Sequence, residues 1–136
     1  AEFFHGRDRY DPNVLARIDI GGRMSAADYI HLAKARLAMI EEVAAITALY
    51  DALILPTTPQ VAPRIEDVSD KAAFGRANAL ALRNPSVFNF LDRCALSIPM
   101  HRSGELPTGL MLVGEHMGDA KLLEVDARAA AILDLR

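Results

Sequence analysis

The sequence predicts an α/β fold in which helices pack on a few short buried strands. Three observations point to this class. Three short apolar runs have the length of strands, helical patterns alternate with them along the chain, and 51% of the 136 residues are hydrophobic. A chain of this length hides about two-thirds of its unfolded surface on folding, which is enough for one core. We therefore expect residues 1–136 to form a single domain or a piece of one.

The first part of the chain is predicted to be helical. Asp11-Pro12-Asn13 begins a short helix, and Gly21-Gly22 ends it. Ser25 is a good N-cap with Asp28 three residues later, so a long helix is expected to run from there to Tyr50. On a helical wheel its polar stripe is only about 100° wide. A helix with so narrow a polar stripe is expected to be mostly buried.

Three apolar runs are predicted to be strands. Residues 52–55 follow the long helix directly and are apolar throughout, so we expect a central strand that is buried on both faces. Residues 95–98 form a second strand closed by Pro99, and residues 109–114 form a third, bracketed by glycines. Three short strands make a narrow sheet, which is typical of part of a larger sheet.

Two further helices are expected. Residues 72–83 form the first, which Asn84-Pro85 stops because the residue before a proline avoids helical dihedral angles. Residues 86–92 add a separate helical turn. Residues 119–133 form the second helix, with Asp119 as its cap. The buried stripe of this helix is expected to be Leu122, Val125, Ala129, Ile132 and Leu133.

Charge, hydropathy and cysteine content exclude several classes of function. The net charge of −3 lacks the basic excess of nucleic-acid-binding domains, so no nucleic-acid partner is expected. No apolar run approaches the ~20 residues of a membrane helix, and the first residues lack a signal-peptide core, so no membrane association is expected. The single cysteine, Cys94, cannot form an internal disulfide, which makes a reducing cytoplasm the default location.

The residues do not assemble into a complete catalytic set. The four histidines lack the spacing of metal ligands, and we predict no metal site. Glycine-rich phosphate loops and a Gly-x-Ser-x-Gly elbow are absent from the sequence. Cys94 forms a thiol dyad with His101 or His116 only if the fold brings them together. A buried inert thiol is the commoner role of such a cysteine.

One segment is suited to a ligand. Pro56-Thr57-Thr58-Pro59 follows the first predicted strand, and in α/β sheets ligands bind beyond the carboxyl ends of strands. Thr57 and Thr58 place two hydroxyls between two prolines, which makes either a stiff polar strand end or a rigid turn with no further role. Asn84 and Asn89 flank the approach to the second strand, where they either face a pocket or cap turns.

Three segments, taken in order, resemble the C-terminal part of the amidase signature family. They are residues 51–59 (DALILPTTP), residues 89–99 (NFLDRCALSIP) and residues 106–114 (LPTGLMLVG), the last followed by DAKLL. The stretch RIDIG at 17–21 is also similar to the family, so the resemblance covers essentially the whole chain. The family includes bacterial amidases, fatty-acid amide hydrolases, allophanate hydrolases and the A subunit of the tRNA-dependent amidotransferase.

The resemblance implies an amide hydrolase that uses a Ser-cis-Ser-Lys triad and an oxyanion hole of glycine-rich backbone amides. This arrangement supplies the base that a serine nucleophile needs and the donors that its tetrahedral intermediate needs. No residue of this chain matches the glycine- and serine-rich signature or the catalytic lysine, so we assign no catalytic residue. In the family those elements come earlier in the sequence. The resemblance therefore implies the C-terminal portion of a longer amidase, inactive alone, with the catalytic N-terminal portion absent.

The family's C-terminal part completes a mixed sheet and helps to wall the substrate pocket. Thr57, Thr58 and Asn89 match family motif positions and are expected to line that pocket. Arg17 matches an arginine that in some members reaches the charged group of the substrate. The implied partner is a small-molecule amide, and no cofactor is implied. Asp92-Arg93-Cys94 departs from the glycine and proline that many members have here.

Two other functions stay open. The chain is alternatively part of the A subunit of a tRNA-dependent amidotransferase, or a non-catalytic binding or structural module. We prefer the simple amidase because residues 89–99 resemble those branches more closely. The apolar long helix and strands amount to more core than 136 residues need. We therefore expect exposed apolar patches larger than those of a usual monomer, or a homo-oligomer that hides them.

Overall fold

A computed structural model describes residues 6–133, and their side chains up to Ile132. The chain divides between Leu37 and Ala38 into two compact units. Four helices and one three-stranded sheet confirm the predicted α/β class. In chain order the elements are α1 (Pro12–Gly21), α2 (Ala26–Thr47), β1 (Leu53–Pro56), α3 (Lys71–Phe90), β2 (Ala95–Pro99), β3 (Gly109–Val113) and α4 (Asp119–Leu133), with short 3-10 turns at Arg7–Arg9 and Glu66–Val68.

Helix α1 forms as its sequence predicts. Its first residue, Pro12, follows the N-cap Asp11, whose carboxylate accepts hydrogen bonds from two backbone N–H groups at 2.8 and 3.3 Å. The helix ends at Gly21. Arg7 donates two parallel hydrogen bonds, of 2.9 and 2.8 Å, to the carboxylate of Asp19. This pairing lowers the pKa of Asp19 and raises the pKa of Arg7, and it holds the preceding 3-10 turn against α1.

Helix α2 begins with the predicted capping box. The Ser25 hydroxyl accepts from the Asp28 N–H at 3.1 Å, and the Asp28 carboxylate accepts from the Ser25 N–H at 3.3 Å. The helix ends at Thr47, three residues before the predicted end. The expectation that it is mostly buried is wrong, because none of its residues is buried. Its exposed large side chains are Tyr29, Ile30, Leu32, Leu37, Met39 and Ile46.

The reason lies in how little of α2 the sheet covers. Within the described residues, Ile40 and Val43 are the α2 side chains that pack against the buried core. A helical wheel reports which side chains are apolar, but it does not report whether another element lies over them. The narrow polar stripe of α2 therefore predicts the chemistry of its surface correctly and its burial wrongly.

Strand β3 is the centre of the sheet. The strand order is β1-β3-β2, and both neighbours pair with β3 in antiparallel orientation, Leu53 opposite Val113 and Ala95 opposite Val113. Leu112 and Val113 are 2% and 1% exposed and are the most deeply buried large side chains in the described chain. The sheet edges are consequently β1 and β2.

The expectation that β1 is central and buried on both faces is therefore wrong. Its burial alternates along the strand, and Ile54 is 69% exposed. The Thr57 N–H donates to the Gly109 carbonyl at 2.8 Å, so by alternation the backbone of Pro56 faces away from β3. A proline has no N–H to donate, which suits an outward position on an edge strand. Pro56 is the sequence signal for an edge strand that the continuous apolar run conceals.

Helix α3 is longer than predicted and continues through Asn84-Pro85 to Phe90. The expected stop at the proline is wrong, and the expected separate turn at residues 86–92 belongs largely to the same helix. Pro85 removes one hydrogen bond and strains the preceding turn, at a cost of about 3 kcal/mol in a helix interior. Phe88 and Leu91, which follow the proline, are buried in the core. Their packing offsets that cost, because tertiary contacts supply most helix stability.

Successive side chains of β3 face two separate apolar clusters. Met111 and Val113 pack with Phe88 and Leu91 of the α3 end on one face. Leu112 packs with side chains of β2 and α4 on the other face, chiefly Ile98 and Leu122. This is the two-residue period of a strand that is covered on both sides.

The structure confirms most of the buried stripe predicted for α4. Leu122 is buried, and Val125 and Ala129 pack against the same cluster. Ile132 is 83% exposed, so its predicted burial is wrong, because the cluster ends before the last turn of the helix. The predicted burial of Leu133 concerns a side chain outside the described set. The helix begins at Asp119, which places the cap position on Gly118 instead of Asp119.

No helix in the part of the chain from residue 6 to residue 133 has the combined length and apolar character that crossing a membrane requires.

We predict that Asp70 makes the stability of α3 sensitive to acid. Its carboxylate accepts hydrogen bonds from the backbone N–H groups of Ala73 and Ala72, both at 2.9 Å, and these lower its pKa. A lowered folded-state pKa stabilises the fold above the unfolded value near 4, and this stabilisation disappears as pH falls through the folded-state pKa. Asp70→Ala is expected to lower the melting temperature at neutral pH and to flatten the acid limb of its pH dependence.

Asp70→Asn is the matched control, since its amide oxygen still caps the helix but carries no charge. It should keep more of the neutral-pH melting temperature than Asp70→Ala while losing the acid dependence. Thermal unfolding followed by circular dichroism from neutral pH down to about pH 3 measures both effects. An unchanged melting temperature in Asp70→Ala at neutral pH would contradict the assigned cap.

Candidate functional site

Two hydroxyl groups meet at one end of the sheet. Thr57 directly follows β1, and its Oγ1 lies 2.5 Å from the Oγ of Ser97 in β2. Either oxygen can be the donor. The backbone of Thr57 extends the pairing of β1 with β3, because its N–H donates to the Gly109 carbonyl. The pair therefore bridges β1 and β2 across the first residue of β3. We call Thr57, Ser97 and Gly109 the hydroxyl cluster.

Gly109 is required for this close approach. A Cβ atom at Gly109 would overlap the Ser97 Oγ and lie 2.8 Å from the Thr57 Oγ1, closer than real Cβ atoms come to such atoms. Helix α3 reaches the same strand end, where the Asn84 Nδ2 donates to the Pro56 carbonyl at 2.7 Å. Asn84 thus satisfies the outward carbonyl of an edge strand. The cluster is rigid because two strands and one helix fix its backbone.

The structure separates the predicted site residues into different settings. Thr57 is half-buried in the hydroxyl cluster, while Thr58 is exposed and its hydroxyl donates to the Gln60 carbonyl at 2.9 Å, as in a rigid turn. Asn89 is exposed in the last turn of α3. Arg17 is exposed on α1, within the first compact unit, whereas the other three belong to the second. Of these four, the threonines lie together because they are neighbours in the chain.

Ser97 is the member of the cluster that sequence reasoning misses. It lies in an apolar strand with no basic neighbour, which argues against a catalytic serine. In the structure Ser97 is exposed, so burial does not require a protein partner for its hydroxyl, and the run ALSIP carries no sequence signal for the pair. The partner is Thr57, which is 40 residues away in the chain and which no local pattern connects to Ser97.

The thiol dyad considered from the sequence does not form. The Cys94 thiol donates to the Glu115 carbonyl at 3.1 Å. The Nδ1 of His116 lies 2.9 Å from the Asp92 carbonyl oxygen, and the Nδ1 of His101 contacts a different backbone carbonyl. Asp92 has a φ of 58°, a conformation that glycine adopts readily. Across residues 6–133 no group of three or more potential metal ligands gathers.

A cavity of about 130 Å³ opens at the other end of the sheet. Arg93 lines it and joins the end of α2 to the end of β3, donating to the Thr47 hydroxyl at 2.5 Å and the Gly114 carbonyl at 3.4 Å. Lys121 also lines it and forms an ion pair of 3.1 Å with Asp51. The sequence singles out Arg93 only as a departure from the family pattern. Its partners come from distant parts of the chain, so the cavity has no local sequence signal.

Comparison with known proteins identifies the relatives of this chain. The Amidase family model matches residues 3–123. The chain is 29% identical to the 2-amino-5-chloromuconic acid deaminase of Comamonas testosteroni, over 96% of this chain and 29% of the deaminase. It is 27% identical to the glutamyl-tRNA(Gln) amidotransferase A subunit of Thermotoga maritima, over 88% of this chain and 25% of that protein.

A solved structure supports the same relationship. The Kluyveromyces lactis allophanate hydrolase superimposes with a TM-score of 0.73 and 26% identity, over 88% of this chain and 19% of the hydrolase. The resemblance inferred from the three sequence segments is therefore confirmed. The chain spans less than a third of the length of each of these three relatives.

We predict that Gly109→Ala destabilises the fold by about 1–3 kcal/mol, because its methyl group forces the two hydroxyls apart. Ser97→Ala in the same chain removes the nearer oxygen and is expected to recover part of the loss. Gly75→Ala is the matched control, since its added Cβ would meet no atom within 4 Å beyond its chain neighbours and its own helix backbone. In helix α3 it should stabilise by about 0.5–1 kcal/mol. Urea unfolding of the four proteins measures these differences, and equal effects at Gly109 and Gly75 would contradict the packing described.

Proposed function

Because this chain belongs to the amidase family, we propose that it is the C-terminal segment of a hydrolase that cleaves carboxylic amide C–N bonds with a serine nucleophile. The match to the family over residues 3–123 carries the proposal. The serine attacks the amide carbonyl, the amine leaves with a proton, and water then hydrolyses the acyl-enzyme to the carboxylic acid. These 136 residues supply no triad by sequence, so the nucleophile and its base belong to another segment. The chain alone is accordingly inactive.

In this proposal the hydroxyl cluster forms part of the wall of the substrate pocket. An amide substrate offers both N–H donors and a carbonyl acceptor, and a hydroxyl can match either. The bond to Ser97 orients the Thr57 hydroxyl, which reduces the entropy lost when a substrate binds there. Thr58 and Asn89 are exposed in the same compact unit and are the further substrate contacts. Arg17 is an exposed cation and is proposed to bind a charged group of the substrate.

One alternative has a specific observation in its favour. Several relatives are A subunits of glutamyl-tRNA(Gln) amidotransferase, for example those of Thermotoga maritima and Legionella pneumophila. A chain of that kind would act with partner proteins and take ammonia from glutamine. The alignment with the Comamonas deaminase covers 96% of this chain, whereas the alignments with those two relatives cover 73–88%. This difference favours the simple hydrolase. A non-catalytic module is the remaining alternative.

We predict that the chain restores function when it replaces the matching segment of the Comamonas deaminase. The chimera should show deaminase activity, whereas the 136-residue chain alone should release no ammonia from a panel of simple amides. Steady-state ammonia release measures both. Amide turnover by the chain alone would overturn the assignment of the catalytic groups to another segment. A folded chimera without activity would overturn the proposal that this segment walls the pocket.

Within that chimera, Thr57→Val is expected to lower kcat/KM by roughly three- to tenfold, the effect of losing one neutral hydrogen bond. Thr57→Ser keeps the hydroxyl and should retain most of the activity. Thr108→Val is the matched control, since Thr108 is exposed and lies outside the hydroxyl cluster. If the valine variants at 57 and 108 behave alike, Thr57 has no role in substrate binding.

A further inference from the structure

Arg93 is a half-buried cation whose hydrogen bonds go to neutral oxygens. Its two side-chain bonds within the described chain are those to the Thr47 hydroxyl and the Gly114 carbonyl. A guanidinium carries five N–H donors. Among the described residues no buried side-chain nitrogen lacks a hydrogen-bond partner, so the remaining donors of Arg93 are open to solvent or to a ligand. Arg93 and Lys121 bring two cations to a cavity that Asp51 and Glu115 also line. An anion placed directly against Arg93 would use the donors that the protein leaves open.

The cavity beside Arg93 is lined by both apolar and polar side chains. Ala44, Ala48 and Leu53 are among the apolar ones, and Tyr50 and Lys121 are among the polar ones. Its volume of about 130 Å³ is similar to that of an engineered cavity of about 150 Å³ that holds benzene. The space thus suits a molecule of a few heavy atoms with a charged head and an apolar body.

The second cation of the cavity is available to such a ligand. Lys121 is paired with Asp51, but their side chains are 49% and 80% exposed. An exposed ion pair of this kind contributes little, so an anion can compete for the lysine. Asp51 and Glu115 both line the cavity and repel anions, which disfavours a dianion more strongly than a monoanion.

We propose that this cavity binds a small organic monocarboxylate, with the carboxylate against Arg93 and the hydrocarbon body against the alanines of α2. The planar guanidinium matches a carboxylate in a two-bond arrangement, and the apolar side chains of the lining disfavour a fully hydrated inorganic ion. The cavity lies where β3 ends, whereas the hydroxyl cluster lies where β3 begins. The test of the carboxylate site is therefore independent of the test of the proposed amidase role.

The test titrates butyrate, butyramide and inorganic phosphate into the 136-residue chain and follows backbone amide chemical shifts by NMR. Butyrate is expected to shift the amides of Gly114 and Lys121 saturably, with a Kd of about 1 mM. Butyramide has the same shape without the charge and should bind at least about tenfold more weakly. Equal binding of butyrate and butyramide, no saturable shifts with butyrate, or tighter binding of phosphate than of butyrate would each overturn the proposal.

Three variants of exposed residues test the role of charge and leave the hydrogen bonds of Arg93 to Thr47 and Gly114 in place. Asp51→Asn releases Lys121 and removes a repelling charge, so it should tighten butyrate binding by roughly threefold. Lys121→Met should weaken it by a similar factor. Arg128→Met is the matched control, because Arg128 lies on α4 outside the cavity lining and should leave binding unchanged. Asp51→Asn binding more weakly than the unaltered chain, or Arg128→Met changing affinity as much as Lys121→Met, would overturn the assignment.

Discussion

The pairing of β3 with a strand on each of its edges is the constraint on which the rest of this structure depends. It buries Leu112 and Val113, and it sends alternate β3 side chains into two apolar clusters, one with α2 and α3 and one with α4. The two glycines that bracket the strand mark its two ends. Gly109 leaves room for the Thr57–Ser97 hydroxyl pair, and a Cβ at Gly114 would lie 2.8 Å from the Cys94 Sγ. At both ends the glycine backbone lies close to side chains of neighbouring elements, which leaves no room for a Cβ atom.

The two ends differ in chemistry in a way that follows from their composition. The hydroxyl cluster is uncharged and fixed by backbone hydrogen bonds from β1 and β3, so it suits a neutral polar substrate such as an amide. The cavity at the opposite end is charged, with two cations and two carboxylates in its lining. Its arginine lies in the loop where the sequence departs from the family pattern.

Local chemistry makes most of the elements predictable. Caps at Asp11 and Ser25 and the glycines around β3 mark real boundaries, because the interactions that form them lie within a few residues. The errors concern what covers each element. The apolar run 52–55 predicts the sheet centre although Pro56 indicates an edge, and Pro85 predicts a stop although Phe88 anchors the helix beyond it. Thr57 is identified by its place after a strand, while Ser97 and Arg93 depend on partners that are distant in sequence.

The central claim, that β3 rather than β1 is the middle of the sheet, is tested most directly by residue-resolved amide hydrogen exchange. In an antiparallel sheet the amides of a central strand are all bonded, whereas those of an edge strand are bonded alternately. The register therefore predicts slow exchange at both Met111 and Leu112, slow exchange at Leu55, and fast exchange at Ile54. Exchange at Ile54 as slow as at Leu55, or fast exchange at either β3 amide, would contradict the account.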